Sequence, residues 1–272
     1  MSAPKLNGLV GTDLGSHVAT YDERDAILYA LAVGAAADRT ELVYEQRLRV
    51  LPTFALTLGL WSLEAVSVAG GYDRTNTLHV GQELTVTRPL PRRADVRSAA
   101  VVDAVWDKGT AALVVVRVRC EFFESRYTIF VPQGGGFGGE RGPSGRSDPP
   151  EREPDLRPRA QTTPNQAALY RLTGDLHPIH IDPAVARAAG FERPILHGLA
   201  TLGCAALVLS DALDRDPVDL TRLAVRFAAP VYPGAAIELS GWNDGAATHF
   251  TAEADGAQVL SAGFAGFGRD AA

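Results

Sequence analysis

Two stretches of this chain share one order: apolar residues at helical spacing come first, then short runs of β-branched residues separated by turn-formers. In the first stretch Ala26, Ile27, Ala30, Leu31 and Val33 recur at helical spacing behind Thr20-x-x-Glu23, which reads as a capping box, and residues 1–19 read as a lead-in. A second apolar helix is predicted from Phe54 to Val68, opened by Leu51-Pro52-Thr53 and closed by Gly70-Gly71. From Asn76 the pattern changes to strands, predicted at 78–80, 83–87, 94–106, 111–123 and 127–131. After residue 160 the order returns, with helical pieces followed by strands at 220–228, 236–242, 248–254 and 258–267. Asp244-Gly245 and Asp255-Gly256 supply hairpin signals between the last three. Two halves with one plan point to an internal duplication and an α+β class, each half a long helix wrapped by a twisted antiparallel sheet.

Residues 132–160 separate the halves and are dominated by Pro, Gly, Arg, Ser and Glu, so they read as a linker or overhang. The expected organisation is a first repeat over 1–131, this linker, and a second repeat over 161–272. Gly134-x-Gly136-x-x-Gly139 matches a dinucleotide fingerprint in form, but no helix can open on Glu140-Arg141-Gly142-Pro143, and a helix N-terminus is what holds a pyrophosphate.

Composition bounds the partners. A formal net charge of −6 lacks the basic balance that nucleic-acid binding requires, so no nucleic acid is expected. No stretch combines about 18 apolar residues with a lack of charge, so no membrane span is expected. The first residues lack the apolar core of a secretory signal, and the C-terminal Gly-Arg-Asp-Ala-Ala is not a peroxisomal address. Cys120 and Cys204 lie in apolar contexts on different segments, which fits a reducing cytoplasm.

Chemistry concentrates between residues 170 and 203. Asp175, His177 and His180 fall within six positions, followed by Asp182-Pro183, a helix-start pair, and Gly190, a helix stop. From about His197 an apolar run continues to Leu213, a pattern expected of a buried helix. The ionisable cluster therefore lies just upstream of a helix N-terminus, whose free N–H groups and dipole favour developing negative charge.

Gly174-Asp175-x-x-Pro178-x-His180-x-Asp182-Pro183, continued by Pro194-Ile195-Leu196-His197-Gly198-Leu199, resembles the MaoC-like, type 2 enoyl-CoA hydratases. The likeness extends through Tyr29–Gly34, Leu51–Phe54 and Gly135–Gly139 to the longer two-repeat members. It implies a double hot-dog fold and reversible hydration of a trans-2-enoyl-CoA to a (3R)-3-hydroxyacyl-CoA, with no metal or redox cofactor. It carries over Asp175 and His180 as the catalytic pair holding a water, and Gly198 as the backbone N–H facing the thioester oxygen. Where the family usually has asparagine, this chain has His177, a bulkier donor that titrates near neutrality. The first repeat lacks such an element, and by resemblance it makes room for the acyl tail, lined near Phe54–Leu60. Partners implied are an acyl-CoA thioester and a second copy of the chain, as a homodimer. Rival readings are a 3-hydroxyacyl-carrier-protein dehydratase, a hot-dog thioesterase and a non-catalytic acyl-CoA-binding subunit.

Other residues keep two readings. Tyr170 and Arg171 are candidates to meet the nucleotide end of the substrate or to pack, and His197 to meet substrate or to position the helix start. Asp175, His177, His180, Asp182 and His197 are of metal-ligating types, but Pro178 stiffens the segment and Asp182 serves as a cap. Arg88, Arg92 and Arg93 are basic candidates for CoA phosphates or a solvated turn. Cys204 reads as small packing, and His17, His79 and His249 as exposed or strand-face residues.

Overall fold

Among the described residues, ten antiparallel strands hydrogen-bond in the order β1-β3-β4-β5-β2-β7-β10-β9-β8-β6, one continuous sheet. The strands are β1 (Asp13–Tyr21), β2 (Leu78–Val86), β3 (Ala94–Asp107), β4 (Ala111–Arg119), β5 (Phe123–Pro132), β6 (Arg159–Gln161), β7 (Leu220–Phe227), β8 (Ala236–Asn243), β9 (Thr248–Ala254) and β10 (Ala257–Phe267). This computed structural model describes residues 6–143, 150–245 and 247–268. The terminal residues 1–5 and 269–272, which bear on the address signals, and 144–149 of the expected linker lie outside the described residues.

Read from its edge inward, each half has the same order: β1-β3-β4-β5-β2 in the first and β6-β8-β9-β10-β7 in the second. The duplication is thus written in the topology. The halves join where Gly81–Thr85 of β2 pairs with Arg222–Arg226 of β7.

The helices are α1 (Glu23–Ala32), α2 (Thr40–Val43), α3 (Ala55–Leu58), α4 (Trp61–Gly70), α5 (Gln166–Tyr170), α6 (Pro183–Ala188) and α7 (Gly198–Ala212). In α7 the residues from Leu199 to Leu207, with Leu209 and Ser210, are all buried, so an apolar run without a polar face becomes the core helix of the second half. It packs closely on α1, because a Cβ at Gly203 would stand 2.5 Å from Val33 Cγ1. Pro52–Gly70 is long and apolar enough to cross a membrane by composition alone. With 72% of its most apolar window buried inside the fold, it is the core helix of the first half. It ends at Gly71, whose φ of 64° is the left-handed cap that glycine adopts without strain.

Four expectations change in detail. Residues 13–21 form edge strand β1, paired along β3. The cap of α1 is Asp22, which accepts from the Arg24 and Asp25 N–H groups while Asp25 caps back, so the box sits two residues beyond Thr20. The predicted strands 78–80 and 83–87 are one strand, bulged between His79 and Gly81. Between Asp155 and Gln161 the expected linker pairs with β8, at Gly241 and then at Ala236–Glu238. Edge-strand status explains why β1 and β6 read as loops: with one partner each, they need few β-branched residues.

The glycine-rich 134–139 loop does bind an anion, which is the chain's own Asp107. Its carboxylate accepts from the N–H groups of Gly109, Gly136 and Gly138 at 2.8 to 2.9 Å. Those bonds pull its pKa down to about 2.

Candidate active site

After α5 the chain makes a tight 3-10 turn over Arg171–Thr173 and reverses at Gly174, whose φ of 123° is open to glycine and strained for other residues. Asp175 follows, its side chain 14% exposed. The ring of His177 then caps the next turn, Nδ1 accepting from the Ile179 N–H at 3.3 Å, with Pro178 at the first position. Asp182 caps α6 through Ala184 and Val185 N–H. Leu196 N–H then binds the Val231 carbonyl at 2.7 Å, setting His197 as the residue before α7.

Three rings pack in a row behind Asp175, the last two of them stacked. Tyr170, fully buried, lies 4.8 Å from His197, and His197 lies 3.7 Å from His180 at 25°. His197 Nε2–H donates to the Asp175 carbonyl at 3.1 Å, tying the ladder to the loop it supports. His180 Nδ1–H donates to the Ile195 carbonyl at 2.9 Å. In the neutral ring that bond leaves the Nε2 lone pair free to accept a proton.

Electrostatics set the protonation states. Burial works against the Asp175 carboxylate, but the net direction is below the usual range: His197 and His180 favour the carboxylate when they carry a proton, and Arg74 and the His177 N–H favour it while those rings are neutral. Burial likewise pushes His180 and His177 below the ordinary histidine value, despite Asp175, and takes His197 to about 3. At neutral pH the cluster is a carboxylate beside neutral imidazoles. A carboxylate oxygen of Asp175 and one ring nitrogen each of His180 and His197 lie within 4.8 Å of one another. Two hydrogen bonds of about 2.8 Å meeting at one water span about 4.6 Å, a length of the same order as that bound. The same three groups suit a metal poorly, since two near-parallel stacked rings cannot both aim an in-plane lone pair at one ion.

Asp175, His177, His180 and Gly198 all line one cavity of about 270 Å³. The opposite wall comes from the first half, with Leu63, His79 and Ile129. At Gly198 a Cβ would stand 3.2 Å from the Phe227 ring, so the bare backbone lets both ring and ligand approach the first N–H of α7.

The remaining sequence candidates sit elsewhere. Tyr170 and His197 are buried behind His180, outside the lining of this cavity. Arg171 donates to the Leu176 carbonyl at 3.5 Å. Phe54 is buried against Tyr21 and Tyr29 and lines a separate groove of about 520 Å³ with Leu58 and Trp61. Arg88 and Arg93 pair with Glu121 and Glu23, and Arg92 donates to the Leu48 and Glu45 carbonyls. Cys204 is buried and accepts from Gln166, and both cysteines are free thiols.

Sequence reading missed two residues of the cavity wall. Arg74 Nη2 stands 3.8 Å from Asp175 Oδ1. His79 donates from Nε2 to the Gly81 carbonyl at 3.0 Å, and burial takes its pKa to about 4. His79 was expected on an exposed or strand face, but the bulge at Gly81 breaks the alternation and lets consecutive residues Thr77–Val80 all line the cavity.

Comparison with known proteins identifies the family. The sequence signature described as "MFE-2 hydratase 2 N-terminal domain" matches residues 19–137, and that of the "MaoC like domain" matches residues 146–262. The chain is 37% identical over 256 residues to an enoyl-CoA hydratase, ChsH3, of Mycobacterium tuberculosis, covering 88% of this chain and 90% of that protein. It is 38% identical over 261 residues to the peroxisomal multifunctional enzyme type 2 of Mus musculus, covering 89% of this chain; it spans only 36% of that longer protein. A crystal structure of a MaoC-like dehydratase from Phytophthora capsici superposes with a TM-score of 0.86 at 27% identity, over 97% of both chains.

Proposed function

The chain belongs to the MaoC-like, type 2 enoyl-CoA hydratase family, and from that premise we propose that it reversibly hydrates trans-2-enoyl-CoA thioesters to (3R)-3-hydroxyacyl-CoA through Asp175, His180 and Gly198. The observation that carries the assignment of residues is the His180 ring. Its Nδ1 is committed to Ile195, which leaves Nε2 to work as a base, and a carboxylate oxygen of Asp175 lies within 4.8 Å of a nitrogen of the ring.

In the proposed reaction, the water donates one hydrogen bond to the Asp175 carboxylate and the other to His180 Nε2. As its oxygen bonds to C3, the proton passes to His180, and the electron pair of the C2–C3 double bond moves toward the thioester oxygen. The Gly198 N–H, at the positive end of α7, meets that charge, a donor worth about 3 to 4 kcal/mol by analogy with acyl-transfer sites. A proton from the same acid–base pair then goes to C2, and the pair returns to its starting state. A positioned acid or base of this kind typically supplies about a hundred- to ten-thousand-fold in rate. These residues supply both proton transfer and charge stabilisation, which supports a reaction with no cofactor. Tyr170 and His197 serve in this reading as supports of His180 and not as substrate contacts. The free thiols of Cys120 and Cys204 support a reducing, cytoplasmic setting, and pairing of two copies is proposed on the family resemblance alone.

The test is ultraviolet loss of enoyl-thioester absorbance across a chain-length panel from crotonyl-CoA upward, with chiral analysis of the product. Expected are (3R) products from the wild type and at least a hundredfold loss in Asp175→Asn. Absence of turnover on every member of the panel, in both directions, would sink the proposal.

A further inference from the structure

We propose that Arg74, contributed by the first half, is a positioning residue for the reaction: its guanidinium holds the Asp175 carboxylate in place at the cavity wall. The local sequence fixes its reach. After Gly71 ends α4, Asp73 accepts from the Thr75 N–H at 2.9 Å and the Thr75 hydroxyl at 2.7 Å, closing a 3-10 turn over Arg74–Asn76. The Arg74 carbonyl accepts from the N–H and hydroxyl of Thr77, which leads into β2. That turn stands opposite the Gly174 reversal, and Arg74 Nη2 comes to 3.8 Å from Asp175 Oδ1, the side chains 29% and 14% exposed.

Charge makes the contact matter. The four histidines around the carboxylate, His79, His177, His180 and His197, are all driven by burial toward the neutral form. Arg171 bears on His180 and His197 and donates to the Leu176 carbonyl. Asp73 adjoins Arg74 in its own turn, and Glu64 lines the outer grooves that Arg74 also walls. Arg74 is therefore the guanidinium that pairs with Asp175 while the rings about it are uncharged, and an opposite charge at this distance favours the ionised carboxylate. The half that lacks the Asp/His motif still supplies the counter-charge to it.

This inference rests on the hydratase reading, and the experiment separates the two. In Arg74→Met the acid limb of the kcat/KM–pH profile should move to higher pH by about one unit, while Arg74→Lys should restore most of the wild-type position of that limb. Titration of the Asp175 carboxyl by ¹³C NMR in wild type and Arg74→Met reads the same contact without turnover, and should show a higher pKa in the variant. A folded Arg74→Met whose Asp175 titrates as in the wild type overturns the proposal, whether or not the wild type hydrates any thioester. Wild-type turnover failing while the carboxyl pKa still rises would overturn the hydratase reading and leave the Arg74–Asp175 contact standing.

Discussion

His180 is oriented by contacts on two sides of one ring: Nδ1–H to the Ile195 carbonyl, and the stacked face of His197. Burial lowers its pKa, and the pKa of Asp175 is lowered too against the effect of burial, with Arg74 and the His177 N–H favouring the carboxylate while the rings are neutral. Both working forms, a carboxylate and a neutral imidazole, are therefore the deprotonated ones. Since both folded values lie below the ordinary ones, kcat/KM should stay level through pH 7 and fall only as pH drops below the ordinary histidine range. A profile already falling between pH 8 and 7 would contradict that assignment. Gly198 offers a second residue-scale test. In Gly198→Ala the methyl must push the Phe227 ring aside by a few tenths of an ångström and would crowd the N–H it flanks. We expect a loss of about tenfold or more in kcat with little change in melting temperature. An equal loss of both would mean packing, and not the N–H, is at stake.

Among elements, the 134–139 loop has the glycine spacing of a dinucleotide fingerprint without the helix start that such a site needs. Its N–H groups do gather an anion, but one supplied by the end of β3. Asp107 has a folded pKa of about 2, below the unfolded value of about 3.9. Its contribution is therefore complete above the unfolded value and is lost as pH falls toward the folded one. The stability advantage of wild type over Asp107→Asn should be constant from pH 7 to 5 and shrink between pH 4 and 2, as followed by thermal melts. An advantage that does not shrink would show that the carboxylate charge is not what the loop holds.

At the scale of the whole molecule, the cavity belongs to neither half. Arg74, His79 and Ile129 face Asp175, His180 and Gly198 across it, and β2 and β7 share one ladder beneath. Expressed alone, residues 150–272 should give no hydration at concentrations where the full chain is active, since one wall and the partner of β7 would be missing. Wild-type turnover by that fragment would show that the first half does not complete the site.

The sequence by itself determined the duplicated helix-then-strand plan, most strand positions and the burial of α7, and its motif pointed to Asp175, His180 and Gly198, which line one cavity. Each of these is encoded locally, by hydrophobic period, by capping residues or by a motif within about thirty positions. It did not reveal edge strands β1 and β6, whose pairing is dictated by the neighbours β3 and β8 and not by their own side chains. Nor did it reveal Arg74 and His79, which reach Asp175 from about a hundred residues away. Only the tertiary structure decided that, because joining β2 to β7 brings the turn after α4 across from the Gly174 reversal. The same assembly decided the protonation of the histidines, since burial, which no local pattern measures, is the largest influence on each.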